Sequence, residues 1–376
     1  MADKENKVEE VTEEVKATVE KAEEKLNEVE DVAARKAEEA KEAVKAKAEE
    51  VKEAAKEKAE KVKTAGKKMS PAIIGAICGG VVAVVVVVLL IVAFVSGSGA
   101  ISKYTAKDYE GAYNSAKMGW FMNKSDKDVI TIGYVGNVLC PEGKYMEGAE
   151  VLKSVDAEAK AKDLEKLYKV NPYLGMCVEG AVVEFGTWEQ DGDNSGEEPV
   201  EWVVLDVVKG DQPMALLLST KVIGFTNVRS KTDGNTSYAL SEIHGWCEVD
   251  FYKTFNANET VKGRILQVNV HTDPSSAGID SGEDVNAHAF APSLQDINTY
   301  LKGNPDLEKY IAAQGTATIK KQGAKVTNSG AAGYWLRNAG ESEGFASAVT
   351  AKGEVVEGSG MSSSHGIRPM MWVSLG

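Results

Sequence analysis

Residues 183–206 read VEFGTWEQDGDNSGEEPVEWVVLD and hold two apolar, strand-like runs on either side of a polar segment. Runs rich in Val, Phe and Trp that are bounded by Gly, Asp and Asn are typical of β-strands joined by a turn. The stretch therefore predicts a β-hairpin. MALLLSTKVI, residues 214–223, predicts a third and more fully buried strand, and strand-like runs continue to the C-terminus.

The C-terminal segment GIRPMMWVSLG, which begins at Gly366, is apolar for a chain end. Termini are commonly polar and poorly ordered unless they are tied into the fold. The composition therefore predicts a core strand in which Met371 and Trp372 alternate between the two faces of a sheet.

Residues 1–68 consist almost wholly of strong helix formers, with 17 Lys and Arg against 20 Asp and Glu. Val11, Ala22, Ala33 and Val44 recur every eleven residues, a period that gives a nearly straight apolar stripe. Because the stripe is made of small side chains, the segment predicts a charged cytoplasmic helix or a weak coiled coil. A docking or self-association surface in the cytoplasm is the open alternative.

Residues 71–95 form a run of 25 residues without a charged side chain. A bilayer core needs about 20 apolar helical residues, and the run is too long and too far from the start for a signal peptide. It therefore predicts a transmembrane helix. The Lys cluster at 61–68 places the N-terminus in the cytoplasm and the C-terminal domain outside the cell. Gly75, Gly79 and Ala83 form a row of small residues that predicts close helix packing.

Residues 96–175 predict a flexible tether followed by a juxtamembrane module of helix and strand. Residues 104–122 predict a helix, DVITIGYVG from Asp128 a strand, and residues 151–170 an amphipathic helix that ends at Asn171-Pro172. The chain thus divides into four predicted segments, at 1–68, 71–95, 96–175 and 176–376.

Composition excludes some classes of partner and cofactor. The net charge of −14 argues against nucleic acid, since phosphate binding needs a basic footprint. The four Cys, at positions 78, 140, 177 and 247, form no Cys-x-x-Cys or Cys/His cluster, so no zinc site is predicted. Outside the cell, Cys140 and Cys177 are a candidate disulfide pair.

The order of several segments resembles the bacterial domain of unknown function family 6273. The matching pieces span about residues 178–376 and read VEFGTWEQDGDNSGEEPVEWVVLD, ALLLS, SEIHGWCEVDFYKTFNANE, FAPSLQDI, YWLRN and GIRPMMWVSL. The resemblance implies a surface or membrane-attached protein of Firmicutes. It also implies a C-type-lectin-like fold, shared with formylglycine-generating enzymes, in which the two chain ends pair as neighbouring strands.

The predicted fold class is therefore α+β: a C-type-lectin-like exported domain, preceded by a long charged α-helix and one transmembrane helix. The resemblance places the C-terminal strand beside the strand VVEFG at residues 182–186. This chain departs from the family pattern of an Arg followed by Trp-Leu-Asn, because it has His244, Trp246, Cys247 and Glu248 there. The segment still predicts a helix that packs its aromatic side chains inward.

Four residues are candidate ligand-binding groups: Trp335, Arg337, Asn338 and Arg368. An Arg flanked by buried aromatic residues usually pairs with a carboxylate below the surface. The alternative is that these side chains line a concave sugar or peptide site, with the aromatic ring as a stacking face. The carboxylates available for pairing are Glu184, Glu201 and Asp206.

The segment DGDNSGEE resembles the start of a calcium loop, because it carries Asp191, Asp193 and Ser195 at every second position. The twelfth position of such a loop requires Glu, whereas this chain has Trp202, so a plain hairpin turn is favoured over a calcium site. Residues 280–284 form a second acidic loop. No other cofactor is predicted.

Together these features predict a single-pass membrane protein whose exported domain binds a glycan, a cell-wall polymer or a protein without catalysis. Formylglycine-generating enzymes use a late pair of cysteines, and no Cys follows Cys247 here, so an enzyme is not predicted. A structural adaptor that acts through residues 1–68 is the alternative, and an exported enzyme that has lost the cysteines is a third.

Overall fold

The computed structural model describes six ranges of the chain. The predicted charged helix, the predicted membrane helix and its small residues Gly75, Gly79 and Ala83 lie outside them. Within the described ranges, no helix is long and apolar enough to cross a bilayer. The ranges are 99–119, 122–193, 195–226, 237–255, 262–361 and 363–376.

The contacts divide the described residues into two units. One comprises residues 99–142 and 151–160, and the other comprises residues 143–150 and 161–376. This division differs from the predicted boundary at 175–176, because the helix at 161–170 belongs to the same unit as the sheets.

The first unit is helical. It contains helical residues 99–105, helix α1 (Tyr109–Met118) and helix α2 (Lys124–Tyr134), which continues as a π-helical turn over Val135–Leu139. The strand predicted from Asp128 is therefore wrong. The β-branched residues of this stretch are held in a helix because Ile130 packs into the core of the unit, and tertiary packing overrides local propensity.

The helix predicted over residues 151–170 is also interrupted. Helix α3 (Tyr145–Leu152) and helix α4 (Ala161–Val170) are separate elements. Between them, the Asp128 carboxylate accepts a hydrogen bond from the backbone N–H of Asp156 at 3.2 Å. The sequence predicted that the helix ends at Asn171-Pro172. Helix α4 does end at Val170, directly before that pair.

The second unit is built on a four-stranded sheet with the order β1-β2-β3-β14. Strands β1 (Val182–Trp188) and β2 (Glu198–Val208) are antiparallel and joined by the polar turn, so the predicted hairpin is confirmed. Strand β3 (Met214–Ser219) pairs with β2 and is mostly buried, as the sequence predicted.

The C-terminal strand β14 (Met370–Ser374) lies inside the core, but its predicted neighbour is wrong. It pairs antiparallel with β3, with Trp372 opposite Leu216, and not with β1. Because β2 and β3 lie between them, β1 and β14 form opposite edges of the sheet. Met371 is buried and Trp372 is half-buried, which fits the predicted alternation.

A helical segment packs its aromatic side chains against this sheet. Helix α6 (Glu242–Gly245) continues as a π-helical turn, Trp246–Phe251, and then as the short α7 (Tyr252–Thr254). Phe251 lies 6.2 Å from the Trp202 ring, measured between centroids. The prediction of a helix that buries its aromatic residues is confirmed.

The remaining elements complete an α+β domain. A five-stranded sheet has the order β12-β11-β10-β13-β5, and two smaller sheets contain β4-β8-β9 and β6-β7. Their strands are β4 (Lys221–Val222), β5 (Gly224–Phe225), β6 (Val268–Val270), β7 (Val285–Ala287), β8 (Ala313–Gly315), β9 (Ala331–Ala332), β10 (Tyr334–Ala339), β11 (Phe345–Val349), β12 (Val355–Gly360) and β13 (Gly366–Ile367). The other helices are α5 (Pro172–Met176), α8 (Leu294–Asp296) with the π-helical Ile297–Leu301, a 3₁₀ turn at Glu308–Tyr310 and α9 (Ala317–Gln322).

The predicted disulfide is absent from the described residues. Cys140 is a buried free thiol, and burial raises its pKa to about 11. The Cys177 thiol lies 3.2 Å from the backbone oxygen of Tyr173, to which it donates a hydrogen bond. The two cysteines also belong to different units.

Candidate functional site

The YWLRN segment forms strand β10, whose residues are all buried. Trp335 and Asn338 have no exposed surface, and Arg337 is 6% exposed. The structure thus places these three predicted ligand-binding residues in the interior of the second unit.

Arg337 pairs with a carboxylate, as one reading of the sequence predicted, but the partner is Asp296. Its Nη1 lies 2.6 Å from the Asp296 carboxylate and 2.8 Å from the backbone oxygen of Ala291. Its Nη2 donates to the backbone oxygen of His271 at 3.2 Å. The guanidinium therefore ties the chain at His271 and at Ala291–Asp296 to strand β10.

Asn338 makes similar links through its side-chain amide. The amide nitrogen donates to the Asp273 backbone oxygen at 2.8 Å, and the amide oxygen accepts from the Leu294 N–H at 2.7 Å. The Trp335 Nε1 is buried and has no hydrogen-bond partner among the described residues. These contacts describe a structural network, and a ligand role for the three residues remains only a prediction.

Arg368 is fully buried and is held by uncharged groups. Its Nε donates to the Ser219 backbone oxygen at 2.6 Å, and its Nη1 donates to the backbone oxygen of Tyr310 and to the Tyr334 hydroxyl. Burial lowers the pKa of this guanidinium, although Arg remains charged at neutral pH. Arg368 thus joins the end of β3 to strand β10 of the five-stranded sheet.

The predicted calcium residues lie in the turn between β1 and β2. The Asp191 carboxylate accepts from the Asp193 N–H at 2.8 Å, and the Asp193 carboxylate accepts from the Ser195 N–H at 2.7 Å. Such side-chain-to-backbone bonds stabilise turns without any ion. The carboxylates of Glu189, Asp191 and Glu198 do lie within 4.8 Å of one another. Glu198 already accepts bonds from two backbone N–H groups of the turn, and calcium binding remains a prediction.

A different pair of side chains forms the most organised polar group near the surface. Glu248 lies in the π-helical turn, where the buried Trp246, Cys247 and Phe251 fix the backbone. His288 follows strand β7 directly. The Glu248 carboxylate accepts from the His288 backbone N–H at 2.8 Å and lies 2.7 Å from the His288 Nδ1. Each side chain is 21% exposed.

The carboxylate determines which imidazole nitrogen is available. A carboxylate bonded to Nδ1 holds the proton on that nitrogen, so that Nε2 of the neutral ring presents a lone pair. Within the described part of the chain, Nε2 of His288 has no hydrogen-bond partner. The Tyr252 ring stacks parallel to the imidazole, with 4.0 Å between centroids, and fixes its plane.

Lys262 completes the group, because its Nζ lies 5.4 Å from the centroid of the Tyr252 ring. Burial, with Glu248 as a second cause, raises the pKa of Tyr252, so its hydroxyl stays neutral. We call Glu248, Tyr252, Lys262 and His288 the Glu248–His288 site. It offers one oriented acceptor nitrogen on His288, which can accept a hydrogen bond from a ligand hydroxyl or amide. The Lys262 ammonium donates to the backbone oxygen of Lys253 at 2.8 Å.

Sequence reasoning missed this site. Glu248 stood out only as a departure from the family pattern, and His288 lies 40 residues away, without any ligand spacing. The neighbouring Cys247 gives no nucleophile, because full burial raises its thiol pKa well above the usual range. His271, another histidine without ligand spacing, lies 2.7 Å from Asp284 in the second acidic loop and is 67% exposed.

The burial of two other histidines, His244 and His365, predicts that the stability of the protein depends on pH. Burial lowers the pKa of His244 and of His365, which contacts Trp335 edge-on. The unfolded chain therefore binds protons at these imidazoles at a higher pH than the folded protein does. We expect the free energy of unfolding to fall as the pH drops below about 6.5, and denaturant unfolding across that range measures it.

His365→Asn should reduce this acid destabilisation, since it removes one of the two depressed groups. His271→Asn is the control for which we expect the opposite change in the pH dependence of stability, because the hydrogen bond to Asp284 raises the pKa of His271. The stabilisation from His271 is present below the unfolded pKa and is lost as the pH rises through the folded pKa. A pH profile that is unchanged by His365→Asn would contradict the assignment.

The second unit is thus an α+β domain with a buried Arg network and with the partly buried, carboxylate-bonded imidazole of His288 near its surface. The family model described as "Domain of unknown function (DUF6273)" matches residues 213–375. The match covers only part of the chain and confirms the predicted resemblance to that family there. The match begins after the predicted start at 178, and strands β1 and β2 lie before it. No curated protein and no solved structure matches the chain.

Proposed function

We propose that the chain is a single-pass membrane protein whose exported, lectin-like domain binds a hydroxyl-bearing glycan or cell-wall polymer without catalysis. The observation that carries the proposal is the Glu248–His288 site. The Glu248 carboxylate holds His288 by one hydrogen bond to its backbone N–H and one to its imidazole Nδ1, the Tyr252 ring stacks on the imidazole, and Nε2 faces no protein partner among the described residues. Such pre-organisation lowers the entropy cost of binding.

The chemistry of the site favours a polyhydroxylated ligand. A sugar hydroxyl can donate a hydrogen bond to the His288 Nε2 and still accept one from another donor, since a hydroxyl is both donor and acceptor. Stacking of a sugar on the Tyr252 ring contributes little to the proposed binding, because His288 occupies one face of the ring and Lys262 lies close to it. The site therefore differs from the aromatic stacking face that the sequence suggested. The proposed recognition is therefore mainly polar.

The proposed location rests on the sequence. The uncharged run at 71–95 supports one membrane helix, and the Lys cluster before it supports a cytoplasmic N-terminus. The motif order behind the family resemblance supports the lectin-like fold. An adaptor acting through residues 1–68 is the second candidate, supported by the eleven-residue apolar period of that segment.

Co-sedimentation of the detergent-solubilised full chain with purified bacterial cell walls tests the binding function. His288→Ala is expected to weaken binding about tenfold, the value of one well-placed hydrogen bond of roughly 1.4 kcal/mol. Glu248→Gln should weaken it less, because an amide still accepts a bond from Nδ1 but carries no charge. The readout is the fraction of protein in the pellet at increasing cell-wall concentration.

His271→Ala is the matched control, because it removes an exposed histidine that also contacts carboxylates but lies outside the site. It should bind like the unchanged protein. Equal binding by all three variants would contradict a role for the Glu248–His288 site. Loss of binding on deletion of residues 1–68, with no effect of His288→Ala, would favour the adaptor function.

A further inference from the structure

The first unit carries an exposed apolar end that the binding function does not explain. Ile101 is 38% exposed and Met118 is 54% exposed. They lie on different helical segments, at residues 99–105 and on α1. Exposed apolar side chains that lie at one end of a helical pair can contribute to an interaction surface.

Side-chain contacts define how the two helical segments pair. Tyr104 and Tyr109 meet edge-on beside the connecting turn, with 5.3 Å between ring centroids. Farther from the turn, the Lys103 Nζ donates to the Ser115 hydroxyl at 3.1 Å. Ala100 and Ala116 also share one buried cluster. Residues before 103 thus lie beside residues after 115, and the segments run antiparallel.

This pairing places Ile101 and Met118 at the same end of the hairpin, away from its turn. We call this the open end. Lys103 and Lys117 are exposed on this half of the hairpin, with the Lys117 Nζ 5.0 Å from the Tyr113 ring centroid. Asp108 and Glu110 lie at the turn, together with Lys107. The open end therefore combines apolar side chains with cations, and the acidic side chains of the hairpin lie at the other end.

The short connection to the proposed membrane helix limits the distance between the open end and the membrane. The uncharged run ends at Val95, and the helical residues begin at 99. Extended residues span at most about 3.5 Å each, so Ile101 lies within roughly 20 Å of Val95. The open end is thus the part of the hairpin that must stay close to the lipid headgroups.

We propose that the open end of this hairpin, formed by Ile101, Lys103, Lys117 and Met118, docks on the outer lipid surface. Its apolar side chains enter the headgroup layer and its lysines bind anionic headgroups, as in interfacial amphipathic segments. The inference rests on the proposed membrane helix. It assigns the first unit a role as a membrane-resting base, separate from ligand binding by the second unit.

Fluorescence quenching in vesicles tests the proposal on the full chain. Met118→Cys and Glu110→Cys, each in a Cys78→Ala background, place a fluorescent probe at the open end or at the turn. The other cysteines are buried. In phosphatidylglycerol vesicles that contain a headgroup-linked quencher, we expect at least a threefold greater quenching at position 118 than at 110.

Lys103→Glu with Lys117→Glu should reduce the quenching at position 118 while the protein still floats with the vesicles. Replacing phosphatidylglycerol by phosphatidylcholine should have the same direction of effect. Equal quenching at positions 118 and 110 in floating vesicles would overturn the docking of the open end alone. Failure of the full chain to float would instead overturn the membrane helix, and the docking with it.

Discussion

Asp296→Ala is expected to lower the free energy of unfolding by about 3–5 kcal/mol, because it leaves the Arg337 charge buried without a partner. The two side chains are 8% and 15% exposed and their charged atoms lie 2.6 Å apart. Denaturant unfolding followed by Trp fluorescence measures the loss. Since this guanidinium joins β10 to the residue after β6, to Ala291 and to α8, we expect the whole second unit to be affected.

Two controls separate the ion pair from other roles of Asp296. Asp296 also caps helix α8 in a capping box with Ser293, so Ser293→Ala should show the loss of that hydroxyl, about 1 kcal/mol. Glu165→Ala removes an exposed pair with Lys169 and should cost no more than about 1 kcal/mol. A loss of unfolding free energy in Asp296→Ala that is no larger than the loss in either control would contradict the prediction.

Trp202→Ala is the second substitution with a large expected effect, again about 3–5 kcal/mol of unfolding free energy. Trp202 has no exposed surface, and its ring contacts Phe251 and Phe255 at 6.2 Å between centroids. Its removal leaves a cavity between strand β2 and the helical segment that carries Glu248. Chemical denaturation of the variant checks the loss.

Trp202→Phe keeps an aromatic ring but loses the hydrogen bond from the indole Nε1 to the Phe185 backbone oxygen at 2.8 Å. A smaller loss, about 1–3 kcal/mol, is expected for the unsatisfied carbonyl and the reduced volume. Val355→Ala, at a residue that is 41% exposed on strand β12, should change stability by no more than about 0.5 kcal/mol. Comparable losses for Val355→Ala and Trp202→Ala would contradict the core assignment.

The local elements of the second unit could be predicted because each one is encoded by neighbouring residues. The hairpin at 182–208 combines two apolar runs with a Gly-containing turn, and Gly186 within it adopts a φ of 65°. A Cβ there would lie 2.0 Å from the Phe255 ring, so the position needs Gly. The helical segment from Glu242 was likewise visible in its aromatic spacing.

The packing of segments that lie far apart in the sequence could not be predicted in the same way. Strand β14 pairs with β3, and nothing in the sequence of β14 distinguishes that neighbour from β1. The run from Asp128 has the β-branched composition of a strand, yet packing of Ile130 among helices determines its structure. In both cases, tertiary contacts decided between locally acceptable alternatives.

The candidate site was hidden for the same reason. The sequence directed attention to Arg337 and Trp335, whose residue types are common in ligand sites, but their contacts are internal. Glu248 and His288 come together only because the π-helical turn and the end of β7 are adjacent in the fold. A single Glu and a single His far apart in sequence carry no pattern that predicts their contact.

Thermal unfolding of the detergent-solubilised full chain with a panel of cell-wall fragments and glycans tests the central claim most directly. A ligand that binds only the folded state raises the melting temperature by mass action. We predict a saturable rise with at least one hydroxyl-bearing ligand, which His288→Ala abolishes and His271→Ala preserves. No rise with any ligand, or a rise that His288→Ala leaves unchanged, would contradict binding at the Glu248–His288 site.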